Sequence, residues 1–272
     1  MDISQTDLVP ACILGVVEGL TEYLPISSTG HMIIAGHLLN FEGEKADTFE
    51  IVIQLGAILS VVVLYFRRFL GLLKFSDSGG LSGIQGLLKI GIACVPAALV
   101  GLVAHKKIKA LLFAPGPVAA ALILGGLVML FVDERDSETE QTLDDITFRD
   151  AVLVGLFQCL SLWPGMSRSG SMIVGGMLIG MRRIVAAEFS FLVAVPIMIL
   201  ASGYDLLKSR DLLSATDIPL FAVGFATAFV VAMVSVKFFI SVLRRVTLRP
   251  FGVYRIALGV AVLYLLHGVA LQ

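Results

Sequence analysis

Charge is what this sequence has least of. Only 15% of its 272 residues are Asp, Glu, Lys or Arg, against about 25% in a soluble domain, which excludes an ordinary water-soluble fold. Neither sign dominates: the formal net charge is −1, so no basic face dominates, which argues against nucleic acid as a partner. Cysteine is scarce too. Cys12, Cys94 and Cys159 each lie in apolar sequence, without CxxC spacing or a neighbouring His, which argues against a disulfide framework or a zinc site and for small buried hydrophobes. The opening MDISQTDLVP lacks the basic start of a cleaved leader, so the first apolar segment is expected to stay in the chain.

What is present is apolar: 57% of residues are hydrophobic and the mean hydropathy is +0.95. Runs such as 51–66 and 218–236 approach the length that crosses a bilayer core. The composition predicts an all-α polytopic membrane protein, in contact with membrane lipids. Hydropathy and Gly, Pro and charge punctuation mark eight blocks, at 8–39, 49–66, 84–104, 117–132, 151–180, 186–207, 218–243 and 251–270. The acidic run FVDERDSETEQTLDDITFRD separates the fourth from the fifth and reads as a solvated loop. The chain is thus expected to be one integral membrane domain over 1–272: repeat one at 8–132, a polar loop at 133–150 and repeat two at 151–270.

The repeats show in a gap-free register of 140 residues. Gly15 falls on Gly155, Glu18 on Gln158, Thr21 on Ser161, Ser27 on Ser167, Thr29 on Ser169, Gly30 on Gly170, Met32 on Met172 and Gly36 on Gly176. Apolar matches arise by chance in such a chain, but Ser, Thr and Gly matches in one register do not. The first and fifth blocks are each too long for one span and too short for two. Each is broken near its centre, by LPISSTGH and by WPGMSRSGS. Proline stops a helix, and Ser or Thr caps the next. Irregular backbone at membrane depth survives only against protein or a wet cavity, so both blocks read as re-entrant helix hairpins. Three true spans per half then remain. An odd number forces the two repeats to be inverted relative to each other.

Loop charges suggest the orientation. Arg67, Arg68, Lys74, Arg135, Arg149, Arg182, Arg183, Arg244, Arg245 and Arg249 gather on one side; Lys45, Lys106, Lys107, Lys109, Lys208 and Arg210 gather on the other. By the positive-inside rule the first side is cytoplasmic, and both termini lie outside.

Charges inside apolar sequence are expensive and tend to be functional. In GVVEGLTEYLPISSTGH, Glu18 and Glu22 are one helical turn apart and share a face. Two carboxylates this close repel unless a cation or proton lies between them, which suits a divalent metal or a proton-carrying carboxyl. In the second break, a helix beginning near Ser167 to Gly170 offers free N–H groups and a positive dipole end to an anion. Arg168 adds a fork matched to phosphate oxygens, and Ser167 and Ser169 add hydroxyls. The first break supplies Ser27, Ser28 and Thr29 at the matching helix start, followed by His31. Three roles are open to His31: nucleophile, general acid for the leaving group, or orienter of a serine. His37, His105 and His267 have no polar company and read as structural, while Gln54 faces either the same cavity or a helix neighbour. Together the two breaks suggest phosphoryl chemistry at the membrane. The alternative is a secondary transporter or lipid flippase, which inverted repeats and broken helices fit equally.

These residues carry a resemblance. EGLTE at Glu18 to Glu22 matches a Glu/Gln-x3-Glu motif, and PGMSRSGSM matches PGxSRSxxT in all but its last position. The chain resembles the undecaprenyl-diphosphate phosphatases of the bacitracin-resistance family, from the first hairpin to the last span. The resemblance implies an inner-membrane bacterial enzyme that removes one phosphate from undecaprenyl diphosphate. It thereby recycles the carrier for peptidoglycan synthesis and confers bacitracin resistance, with an active site facing the periplasm. It places catalytic roles on Glu22, Ser28, His31 and Arg168, substrate binding on Ser27, Ser167, Ser169 and Gly170, and a divalent cation, Mg or Ca, on Glu18 and Glu22. The attacking group is Ser28, His31 or a water activated by Glu22, and a homo-oligomer stays open. Where the motif ends in Thr this chain has Met172, so no role passes to that position.

Overall fold

The computed structural model describes residues 8–74, 79–132, 140–209 and 214–269. Part of the acidic loop (133–139), Arg135 and Arg210 lie outside them, as do the side chains of His105, Lys109 and His267. Among the described residues every regular element is helical. The eleven α-helices are α1 (Leu8–Thr21), α2 (Ser28–Leu38), α3 (Glu44–Leu64), α4 (Phe66–Leu72), α5 (Gly83–Leu112), α6 (Pro115–Val132), α7 (Phe148–Gln158), α8 (Arg168–Leu178), α9 (Arg183–Ser209), α10 (Ile218–Leu243) and α11 (Arg249–Val269).

Five stretches are long and apolar enough to cross a membrane: Glu44–Leu64, Gly83–Ala104, Pro115–Val132, Arg183–Ser209 and Ala215–Leu243. The sixth span expected from the sequence corresponds to α11, 21 residues long, which is not among the five. Several helices outrun their apolar blocks. Helix α3 begins at Glu44 rather than 49 because Glu44 and Asp47 sit in its first turn, where negative charge favours the helix dipole. Helix α5 continues past 104 through its basic end, and the short α4 was not expected at all. The chain is a multi-pass helical membrane protein.

Both broken blocks do break, and in matching ways. Helix α2 starts after Ser27 (φ 71°) and α8 after Ser167 (φ 71°). Each N-cap hydroxyl accepts from the backbone N–H three residues on, Gly30 at 3.3 Å and Gly170 at 3.1 Å. The exits match as well. Asn40 (φ 52°) and Gly180 (φ 95°) adopt the left-handed conformation, and Phe41 and Met181 donate back to the Gly36 and Gly176 carbonyls, as in a Schellman cap.

Packing relies on small residues, because lipid supplies no hydrophobic drive between helices. Helix α1 packs on α10, α7 on α5, α3 on both α9 and α10, and α6 on α11. At the α6–α11 crossing a Cβ on Gly126 would lie 2.7 Å from the Gly252 carbonyl oxygen, and a Cβ on Gly252 equally close to that of Gly126. Only glycine at both positions permits that approach. One large apolar cluster runs from Tyr23 and Val61 through Phe191 to Phe239.

Candidate active site

The breaks meet. Glu22, just beyond the end of α1, is buried with 7% exposure, and its Oε1 accepts from Arg168 Nη2 at 3.0 Å. Its other oxygen, Oε2, accepts from the Ser28 hydroxyl at 2.6 Å. Arg168, the first residue of α8, also donates through Nη1 to the Ser190 carbonyl at 2.9 Å. Its guanidinium lies 5.6 Å from the centre of the Tyr23 ring. Acid, hydroxyl and cation thus form one chain of partly buried, charge-assisted contacts.

This chain lines a cavity of about 390 Å³. Ser27, Thr29, Gln54, Gln158, Ser161 and Ser167 are polar residues of its wall, and Ala97, Phe113, Ile197 and Met198 are apolar ones. Gln54 therefore faces the cavity, held there by the Ser202 hydroxyl at 3.3 Å.

The remaining predicted residues divide between cavity and framework. Ser167 lines the cavity, but its Oγ caps Gly170 and lies 3.1 Å from Ser169 Oγ. Ser169 is fully buried and donates to the Leu24 carbonyl at 2.9 Å, tying the second break to the first. The Gly170 N–H is engaged by that cap, and a Cβ there would meet Met129 at 2.8 Å and Arg255 at 3.2 Å. His31 is not brought to Glu22. Its Nδ1 lies 2.7 Å from the Ser27 carbonyl, its Nε2 lies 2.7 Å from the Tyr254 hydroxyl, and its ring stacks on Tyr254. Glu18 is buried close behind Glu22, and its Oε1 has no hydrogen-bond partner.

Met172 does not face the cavity. It is fully buried in an apolar cluster with Met181, Val185, Phe189 and Leu192. Met32, its counterpart 140 residues earlier, is buried in another such cluster. The adjacent Ser171 hydroxyl donates to the Ser167 carbonyl at 2.8 Å. The departure from the motif therefore leaves the polar lining of the cavity untouched.

Arg255 belongs with these residues although neither motif contains it. It has no exposed surface, and its guanidinium donates to four carbonyls: Leu122 at 3.4 Å, Pro25 at 3.1 Å, Ala121 at 3.2 Å and Gly165 at 3.0 Å. Pro25 is in the first break, Gly165 in the second. One buried side chain clamps both to α6. Its signal was a lone charge inside the last apolar block.

Cavity and clamp define a class, a multi-pass helical membrane protein whose polar site is assembled from two interrupted helices. Residues 11–261 match the family model described as bacitracin resistance protein BacA, and the chain belongs to that family. It is 52% identical over 260 residues to a protein of Nitratidesulfovibrio vulgaris named undecaprenyl-diphosphatase, covering 95% of this chain and 98% of the relative. Proteins of the same name from Maridesulfovibrio salexigens and Solidesulfovibrio magneticus are 53% and 50% identical over the same length.

Proposed function

We propose that the chain hydrolyses undecaprenyl diphosphate to undecaprenyl phosphate and inorganic phosphate. It thereby returns the lipid carrier to peptidoglycan synthesis and confers bacitracin resistance. The names and near-complete coverage of its relatives support the substrate. The observation that carries the chemistry is the 2.6 Å contact from the Ser28 hydroxyl to a carboxylate whose other oxygen is held by Arg168. A hydroxyl on a buried base, beside a fixed guanidinium, is an activated nucleophile next to an anion site.

In this reading the lipid tail leaves the cavity between helices, and the diphosphate lies against Arg168. Glu22 takes the Ser28 proton as the oxygen attacks the terminal phosphorus. The bond from phosphorus to the bridging oxygen breaks, the undecaprenyl monophosphate leaves, and water then releases phosphate from the serine. Arg168 balances the charge that gathers on the phosphoryl oxygens. His31 holds the first turn of α2 against α11 and would have to leave Tyr254 to act as an acid.

The donor set fits a divalent cation. Glu18 has an unpartnered buried oxygen next to Glu22, and carboxylates together with substrate phosphates are how Mg is usually held. Glu18 and Glu22 would hold it, and when bound it would neutralise part of the diphosphate charge.

The same proposal covers topology: one integral domain of two inverted repeats, each a re-entrant hairpin with three spans, in the bacterial inner membrane with the cavity toward the periplasm. The matched caps at Ser27 and Ser167 support the repeats. Contacts at the ends support the sorting of sides. Arg68 pairs with Asp144, and the Arg182 backbone with Gln141, while Lys45 pairs with Asp217.

Phosphate release by purified protein in detergent, without any gradient, tests the reading. Glu22→Ala and Arg168→Ala are each expected to lower turnover about 100- to 1000-fold. Full turnover in both variants would remove the site. No release by the unmodified protein, with uptake of labelled lipid into vesicles, would favour a transporter. Phosphate trapped on Ser28 would separate covalent from direct attack.

A further inference from the structure

Gln158 stands out in the cavity wall. It is the last residue of α7, where the α-helix gives way to a 3-10 turn over Cys159–Leu162. Its side chain is 1% exposed and lines the same cavity as Arg168 and Ser28. Neither Oε1 nor Nε2 has a hydrogen-bond partner, and among the described residues it is the one side chain with both polar atoms so placed. A buried amide without partners is costly, and an apolar group of similar shape would be more stable there. Neighbours do not explain it: the Ser161 hydroxyl donates to the Gln158 backbone carbonyl and leaves the side chain alone.

We propose that Gln158 is a specificity-determining residue whose carboxamide hydrogen-bonds the diphosphate headgroup. The inference rests on the phosphatase reading and adds a contact to it. An amide N–H gives an anionic oxygen a directed donor without a second buried cation beside Arg168. The 140-residue register sharpens the point, because the counterpart of Gln158 is Glu18. A carboxylate of the same shape at 158 would face the diphosphate with like charge and, unlike Glu22, would have no guanidinium to balance it. Glu18 itself lies behind Glu22 and outside the cavity lining, so it does not face the headgroup directly.

Three variants, Gln158→Met, Gln158→Leu and Gln158→Glu, test this in detergent with undecaprenyl diphosphate as the probe. KM, kcat and melting temperature are measured for each against unmodified protein. Met and Leu are expected to raise KM about 10- to 100-fold, the range of a hydrogen bond to a charged group. Both should melt at or above the unmodified temperature. Glu is expected to raise KM beyond Met and Leu, since it keeps the shape and adds repulsion. A merely structural amide predicts the reverse: Glu tolerated best, with Met and Leu melting lower. That pattern, or unchanged KM in Met and Leu, overturns the proposal. If the unmodified protein releases no phosphate, the phosphatase reading falls instead.

Discussion

Replacing Arg255 with Met tests how the two breaks are held in register. The guanidinium donates to four carbonyls, but they are not equivalent. Ala121 and Leu122 lie inside α6, so their carbonyls keep helical partners when the arginine is gone. Pro25 and Gly165 are loop carbonyls, at 3.1 and 3.0 Å, and would be stranded at membrane depth. A stranded buried acceptor costs about 1–3 kcal/mol, so the two together cost about 2–6 kcal/mol. Relief of the buried charge offsets part of this.

Turnover should suffer as well as stability. Glu22 follows α1 directly and Arg168 follows the second break, so their 3.0 Å contact depends on both loops staying in place. A misplacement of about 1 Å in a catalytic group costs about 100-fold in rate. Arg255→Met is therefore expected to melt lower and to release phosphate about 100-fold more slowly. Arg255→Lys, with one compact head instead of a fork, cannot reach both loops and should fall between. Gly125→Ala should mimic it, because a Cβ there collides with the guanidinium. The assay is melting temperature and phosphate release measured on the same preparation. Unchanged values for Arg255→Met would refute the clamp.

Other substitutions probe single features. Met172→Thr restores the family motif, yet it should leave turnover unchanged and lower stability by about 1–3 kcal/mol, since position 172 lies in an apolar cluster; a gain in turnover would show that the side chain reaches the site. Ser167→Ala should cost about 0.5–2 kcal/mol through the lost cap, read by thermal melting. Glu18→Gln should raise the Mg or Ca concentration needed for half-maximal activity, and full activity after chelation would dismiss the cation. Arg168→Ala should destabilise by about 3–5 kcal/mol, because it leaves the Glu22 carboxylate buried without its cation; an unchanged melting temperature would mean the pair is solvated.

Much of this was legible in the sequence because it is local. The helix starts at Ser28 and Arg168 follow from hydroxyl caps after a proline-containing stretch, and those caps fall 140 residues apart as the register requires. The meeting of Glu22 with Arg168 was legible too, since each charge is too costly in apolar sequence without a partner. The rest depends on contacts that periodicity does not carry. The partner of His31 is Tyr254, 223 residues away on a different helix. The direction of Met172 is set by how α8 lies on α9, not by the motif letters around it. Arg255 emits the same signal as Arg168, a charge in an apolar run, but its partners are backbone carbonyls, which leave no trace in side-chain spelling.

The matched segments show how one backbone plan yields one site rather than two. At corresponding positions the first segment carries Glu18, Glu22 and Ser28, and the second carries Gln158, Leu162 and Arg168. The caps, the left-handed exits and the glycines at 15/155, 30/170 and 36/176 are kept in both. Side chains that reach the cavity are among those that differ. Had both segments kept two acids, four carboxylates would crowd one buried space and demand protons or cations to stay folded. Had both kept an arginine beside the cap, two guanidinium groups would repel across the same gap. Divergence at 22/162 and 28/168 removes both conflicts and leaves an acid from one segment against a cation from the other. The pairing is self-neutralising when the cavity holds no anion.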